Sequence, residues 1–84
     1  MLIINSSARK HGISDADMEH AVKWSLYTRA IDDDSPRRVL HVGPDLAGNP
    51  IEVVTLHIDS DRTIAIHAMR LTRRFHWIVK GHTR

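Results

Sequence analysis

Apolar and polar positions along the chain follow two patterns, a short helical one near the N-terminus and a longer alternating one through the middle. Leu2-Ile3-Ile4 is an apolar triplet followed by polar Asn5-Ser6-Ser7, which predicts a short first strand and then a single helical turn over Ser6 to His11. Gly12 stops that turn, because glycine best tolerates the left-handed conformation of a helix cap. Ser14 opens the strongest local start signal. It stands as an N-cap, Asp17 follows three residues on as its box partner, and Ile13 and Met18 are spaced for a hydrophobic staple. The spacing predicts a helix from Asp15 to about Tyr27, with Met18, Ala21, Val22, Ser25 and Leu26 on one side. The opposite side carries His20, Trp24 and Tyr27, which read either as packing under a sheet or as a partner-binding surface.

Beyond Ile31, the run Asp32-Asp33-Asp34-Ser35-Pro36 breaks regular structure. Three segments rich in Val, Ile and Leu follow, Arg37 to Gly43, Ile51 to Ile58 and Thr63 to Arg70, and their short connections favour an antiparallel meander. Alternation places Leu40, Val42, Val54, Leu56, Ile58, Ile64, Ile66 and Ala68 on one face, expected to press against the helix. The other face then carries Val39, His41, Val53, Thr55, His57, Ala65, His67 and Met69. Thr72 to Val79 reads as a terminal helix or an edge strand, and residues 80–84 are expected to fray. The fold class expected is α+β, with N-terminal helices on one face of a small antiparallel sheet.

Length sharpens this picture. With 84 residues and no linker or repeat, residues 1–84 are read as one domain, thin enough for a partner to matter to its stability. The absence of cysteine removes disulfides, thiolate metal sites and thiol nucleophiles, and points to the cytoplasm. The leading apolar triplet is too short for a signal core or a membrane span, so no membrane association is expected. Charge is lopsided: residues 1–60 carry six Lys/Arg against nine Asp/Glu, net −3, and residues 61–84 carry six against one, net +5. A basic end of that density attracts phosphate, although many such runs are only solvated.

Seven histidines invite a metal hypothesis, but no HxH, HxxxH or HExxH spacing presents two of them to one ion, so neither metal nor cofactor is expected. In the meander, His41 and His67 would flank Val53 on one face, two strand spacings or roughly 9 to 10 Å apart, a width suited to a phosphodiester. His67 is the preferred general acid or base for RNA cleavage by a 2′-hydroxyl, because Arg70, Arg73 and Arg74 follow it and would hold the phosphate. The competing reading is a half-buried sheet histidine before a solvated basic end. Arg37 and Arg38 are further candidate nucleic-acid contacts, partly cancelled by Asp32 to Asp34. Lys10 and His11 precede a helix start, where Asp15 and Asp17 already answer the dipole. With Glu19 and Glu52 the only glutamates, paired-carboxylate chemistry is disfavoured.

Several segments, in order and spacing, resemble the BrnT-type toxins of the wider RelE/ParE-like group: Lys10-His11-Gly12-Ile13-Ser14, the Asp-rich turn, Arg38-Val39-Leu40-His41-Val42-Gly43, Ile51-Glu52-Val53-Val54 and Ile64-Ala65-Ile66-His67-Ala68-Met69-Arg70. The similarity covers roughly Ala8 to Arg74. It implies a bacterial toxin of a type II toxin-antitoxin system, an endoribonuclease restrained by a cognate antitoxin protein. Lys10 and His11 match the family's KHG-like segment and are carried over as catalytic candidates. The family's two strand arginines read here as Ile64 and Met69, so His67 and Arg70 would have to take their place.

Three functions follow as expectations: a metal-independent endoribonuclease, a non-catalytic partner-binding module using His20, Trp24 and Tyr27, or a ParE-like gyrase inhibitor. The oligomeric state, alone or with the antitoxin, is left open.

Overall fold

The computed structural model describes residues 2–32 and 36–82; Asp33, Asp34 and Ser35 of the acidic turn, and Thr83 and Arg84 of the expected tail, lie outside them. Its strands are β1 (Leu2–Ile4), β2 (Tyr27–Ala30), β3 (Arg37–Pro44), β4 (Pro50–His57) and β5 (Thr63–Arg70), with helices α1 (Asp15–Lys23) and α2 (His76–His82). A 3₁₀ turn at Ser6–Arg9 follows β1, and another at Arg73–Phe75 leads into α2. The strands form one sheet in the order β1-β5-β4-β3-β2. β1 runs parallel to β5 and every other pair is antiparallel, so the α+β domain has a mixed sheet.

Local chemistry explains the N-terminal elements. The Asn5 side chain accepts from the Ser7 N–H at 3.0 Å and caps the first turn, and Gly12 takes φ 79° where the chain reverses. Ser14 Oγ accepts from the Asp17 N–H at 3.1 Å, as its N-cap spacing predicts. The reciprocal half of a capping box is not used: Asp17 Oδ1 instead accepts from the Leu46 N–H at 2.9 Å and ties the helix to the β3–β4 loop.

α1 ends at Lys23, four residues short of the expected Tyr27. The Ser25 hydroxyl donates to the Val22 carbonyl at 2.7 Å, satisfying one of the carbonyls a helix end leaves open. The Leu26 N–H then bonds the Val42 carbonyl at 2.8 Å and commits the next residues to β2. Tyr27 is therefore a strand residue, and His20, Trp24 and Tyr27 do not form one helical stripe. The terminal segment is helical, and residues 80–82, expected to fray, belong to α2.

Both faces of the sheet are covered. On one, α1 and the first 3₁₀ turn bury Ala8, Ile13, Met18 and Ala21 against Ile51, Val53, Ala65 and Ala68. On the other, the C-terminal segment buries Leu71 and Ile78 against Leu40 and Val42, with Tyr27, Val54, Phe75 and Val79 packed around them. This corrects the expected arrangement, in which Leu40, Val42 and Val54 faced the N-terminal helix. Alternation shows which residues share a face, but with two apolar faces it does not say which helix covers which.

One irregularity decides the placement of the central histidine. From Ile51↔Arg70 to Val54↔His67 the β4–β5 register is uniform, but Thr55 pairs with Ala65, so Ile66 is passed over. Such a bulge inserts one residue and reverses the parity of everything beyond it. His67 and Met69 therefore lie on the α2 face with Val54, whereas Ala65 and Ala68 both lie on the α1 face.

Candidate functional site

β5 presents His67 on the α2 face, where its side chain remains 34% exposed and Nε2 lies 3.4 Å from Glu52 Oε2. Glu52 on β4 is 6% exposed. Its other oxygen accepts from the Thr72 backbone N–H at 3.0 Å and from the Thr72 hydroxyl at 2.9 Å, so the residue that opens the C-terminal segment holds the carboxylate in place. A buried carboxylate needs such donors, and the His67 imidazole stands at ion-pair distance from it when protonated.

The N-terminal segment supplies the second histidine. Beyond Ile4 the chain leaves the edge of β5, and the Ser7 hydroxyl donates to the Ile66 carbonyl at 2.7 Å, clamping the first 3₁₀ turn against the bulge. That clamp carries the turn to the level of His67. The His11 and His67 rings meet edge to face with centroids 5.6 Å apart and 76° between their planes. Lys10, the neighbour of His11 in the chain, is exposed. From His67 a recess of about 290 Å³ runs across the sheet, lined by Glu52, Val54, Leu40, Phe75, Ile31 and Arg29.

The remaining candidates are distributed elsewhere. Arg70 pairs with Ile51 and so projects on the α1 face, where its Nη1 binds Asp45 Oδ2 at 2.5 Å. Asp45 is buried, and its other oxygen accepts from the Ala47 and Asn49 N–H groups at 3.0 and 2.8 Å. The Arg70 guanidinium, followed by these backbone donors, holds its carboxyl below the usual range. The expected joint centre of His67 and Arg70 is thus not formed, because residues three apart on a strand face opposite ways. Arg73 is exposed on the second 3₁₀ turn, and the Arg74 side chain lies outside the described residues. Arg38 pairs with Asp32 at 2.5 Å, and exposed Arg37 lies opposite His57.

His20 lies 2.8 Å from the Pro44 carbonyl, to which Nδ1–H donates, and its ring meets Trp24 at 6.4 Å. Trp24 remains 56% exposed, with the Lys23 ammonium 5.6 Å from its ring centre. Tyr27, by contrast, meets Trp77 edge to face at 5.7 Å on the α2 side of the sheet.

The groove expected between His41 and His67 is absent, since the bulge sends His67 to the other face. His41 is instead buried between Ser25 and Thr55, with Nδ1 3.3 Å from Ser25 Oγ and Nε2 2.9 Å from Thr55 Oγ1. A neutral ring with its proton on Nδ1 satisfies all three groups, donating to Ser25 and accepting from Thr55. Burial, reinforced by the His57 ring stacked at 6.3 Å, lowers its pKa to about 4.

Sequence reasoning did not single out Glu52, which the fold places beside His67. Its signal is an acid at a strand position flanked by Val and Ile, where a carboxylate is costly without a partner. Among the described residues, no group of three ligating side chains has the geometry to hold a metal ion, and no helix is long and apolar enough to cross a membrane. Comparison with family models, curated proteins and solved structures finds no match.

Proposed function

We propose that this protein is an endoribonuclease of the toxin-antitoxin type, acting in the cytoplasm on RNA and restrained by a cognate antitoxin. The observation that carries the reading is the meeting of His11 and His67, distant in sequence, at 5.6 Å beside a buried carboxylate. The resemblance to BrnT-type toxins supports it, since that likeness independently marks Lys10 and His11.

His67 takes the proton of a ribose 2′-hydroxyl, and Glu52 stabilises the imidazolium that forms. The 2′-oxygen attacks the adjacent phosphorus. His11, in its protonated form, delivers a proton to the departing 5′-oxygen, leaving a 2′,3′-cyclic phosphate and a free 5′-hydroxyl. Lys10, the exposed cation next to His11 in the chain, answers the charge that builds on the phosphoryl oxygens. Arg70 has no part in this centre.

Induced expression is expected to arrest growth with mapped RNA cuts, and the purified protein to cleave RNA to cyclic-phosphate ends. His67→Ala and His11→Ala should each slow cleavage by about 10²- to 10⁴-fold. If wild type and His67→Ala leave RNA equally intact while soluble, the nuclease reading fails; arrest with intact RNA and damaged DNA would move the target to gyrase.

A second reading, a partner-binding module without catalysis, draws on the exposure of Trp24, Leu26 and Leu46. It expects harmless expression and loss of co-purification with the neighbouring gene's product in Trp24→Ala.

A further inference from the structure

The recess that starts at His67 has a composition the proton transfers do not require. Its floor is aliphatic, Leu40 on β3 and Val54 on β4, and Phe75 of the second 3₁₀ turn supplies an aromatic wall. Polar groups stand only at its ends, Glu52 and His67 at one and Arg29 on β2 at the other. β5 and β2 are three strand spacings apart, roughly 14 Å, enough for a nucleoside lying across the strands. A recess with an aliphatic floor, an aromatic side and polar groups at its ends suits a planar heterocycle, which gains from stacking and is oriented by hydrogen bonds at its edge.

We propose that this recess is a nucleobase subsite, taking the base of the nucleotide whose 2′-hydroxyl attacks and favouring bases that carry an exocyclic amino group. The inference rests on reading the histidine pair as a phosphodiester site. His67 belongs to both, so a ribose placed with its 2′-hydroxyl at His67 directs its own base into the recess. Glu52 sets the preference. One of its oxygens is held by Thr72, and the other, near His67, keeps a lone pair for one more donor. The amino group of cytosine, adenine or guanine is such a donor. The C4 carbonyl of uracil is an acceptor, and at the same position it would oppose the carboxylate.

Cytosine and uracil share a ring size and differ at that position, so they make the test. The ¹⁵N-labelled full chain is titrated with cytidine 3′-monophosphate and, separately, uridine 3′-monophosphate, following backbone amide shifts. Cytidine monophosphate is expected to bind about tenfold tighter, with the largest shifts at Leu40, Val54, His67 and Phe75. Glu52→Gln keeps an acceptor for Thr72 but adds a donor, and it should bring the two nucleotides to within about twofold. Equal affinities in the wild type, or shifts confined to other surfaces, would overturn the subsite. Should Glu52→Gln fail to fold, the wild-type comparison alone decides. RNA cleavage with no preference for cytidine leaves the nuclease standing without this subsite; selective cytidine binding without cleavage does the reverse.

Discussion

Among single residues, His41 has an environment that makes a measurable demand. Burial between Ser25 and Thr55 keeps its ring neutral, with a pKa near 4 in the folded protein against 6.5 for an ordinary histidine. The folded state therefore binds fewer protons than the unfolded chain between those values. Its stabilising contribution is fully present above pH 6.5 and is lost as pH falls toward 4. The full effect is on the order of 3 kcal/mol. Urea midpoints measured across that window should fall with acid, and an NMR titration should show the His41 ring still neutral at about pH 5. Asp15, Asp45 and Asp59 have lowered pKa values and act in the same direction at lower pH, losing their contribution only below the ordinary carboxylate value of 3.8. A flat stability profile between pH 6.5 and 4 would show that the ring is accessible to water.

At the scale of elements, α1 lies in close backbone contact with β3 at Gly43. A Cβ at Gly43 would collide with the backbone carbonyl oxygen of Ala21, so backbone rather than a flexible side chain has to shift. Gly43 thus lets the helix lie directly on the strand, where the same three-residue neighbourhood holds His41. Gly43→Ala should lower stability by about 2 kcal/mol, read from the urea midpoint, with a helix displaced rather than a side chain adjusted. Much of this level was legible beforehand. Ser14 as N-cap, Gly12 at a positive φ and the three central strands all rest on interactions within a few residues, which sequence records directly. The end of α1 was not, because Ser25 and Leu26 respond to Val42, a partner that the hydrophobic spacing does not reveal.

For the whole molecule, stability depends on covering both faces of a small sheet. Ile78 of α2 is 2% exposed and packs with Leu71 over Leu40 and Val42. Ile78→Ala should cost about 2–5 kcal/mol, a large share of what a domain this small possesses. Thermal unfolding would register it as a marked fall in midpoint. Because Phe75 and Val54 belong to the same cluster and line the recess, the variant should also weaken cytidine 3′-monophosphate binding. A stable variant with unchanged nucleotide affinity would mean that the C-terminal segment does not shape the recess.

What the sequence by itself determined was local: an apolar triplet, a capped helix, three alternating strands, and a basic end in which His67 stood out. The tertiary structure decided which of these residues meet. A single bulged residue, Ile66, carries His67 to the side of Glu52 and away from Arg70, and a parallel edge strand brings His11 to the same place. The physical reason is that side-chain direction in a strand depends on parity, and parity is counted from pairings that lie far along the chain. Composition and spacing constrain each strand separately, whereas the register between them is chosen by the packing of both faces at once.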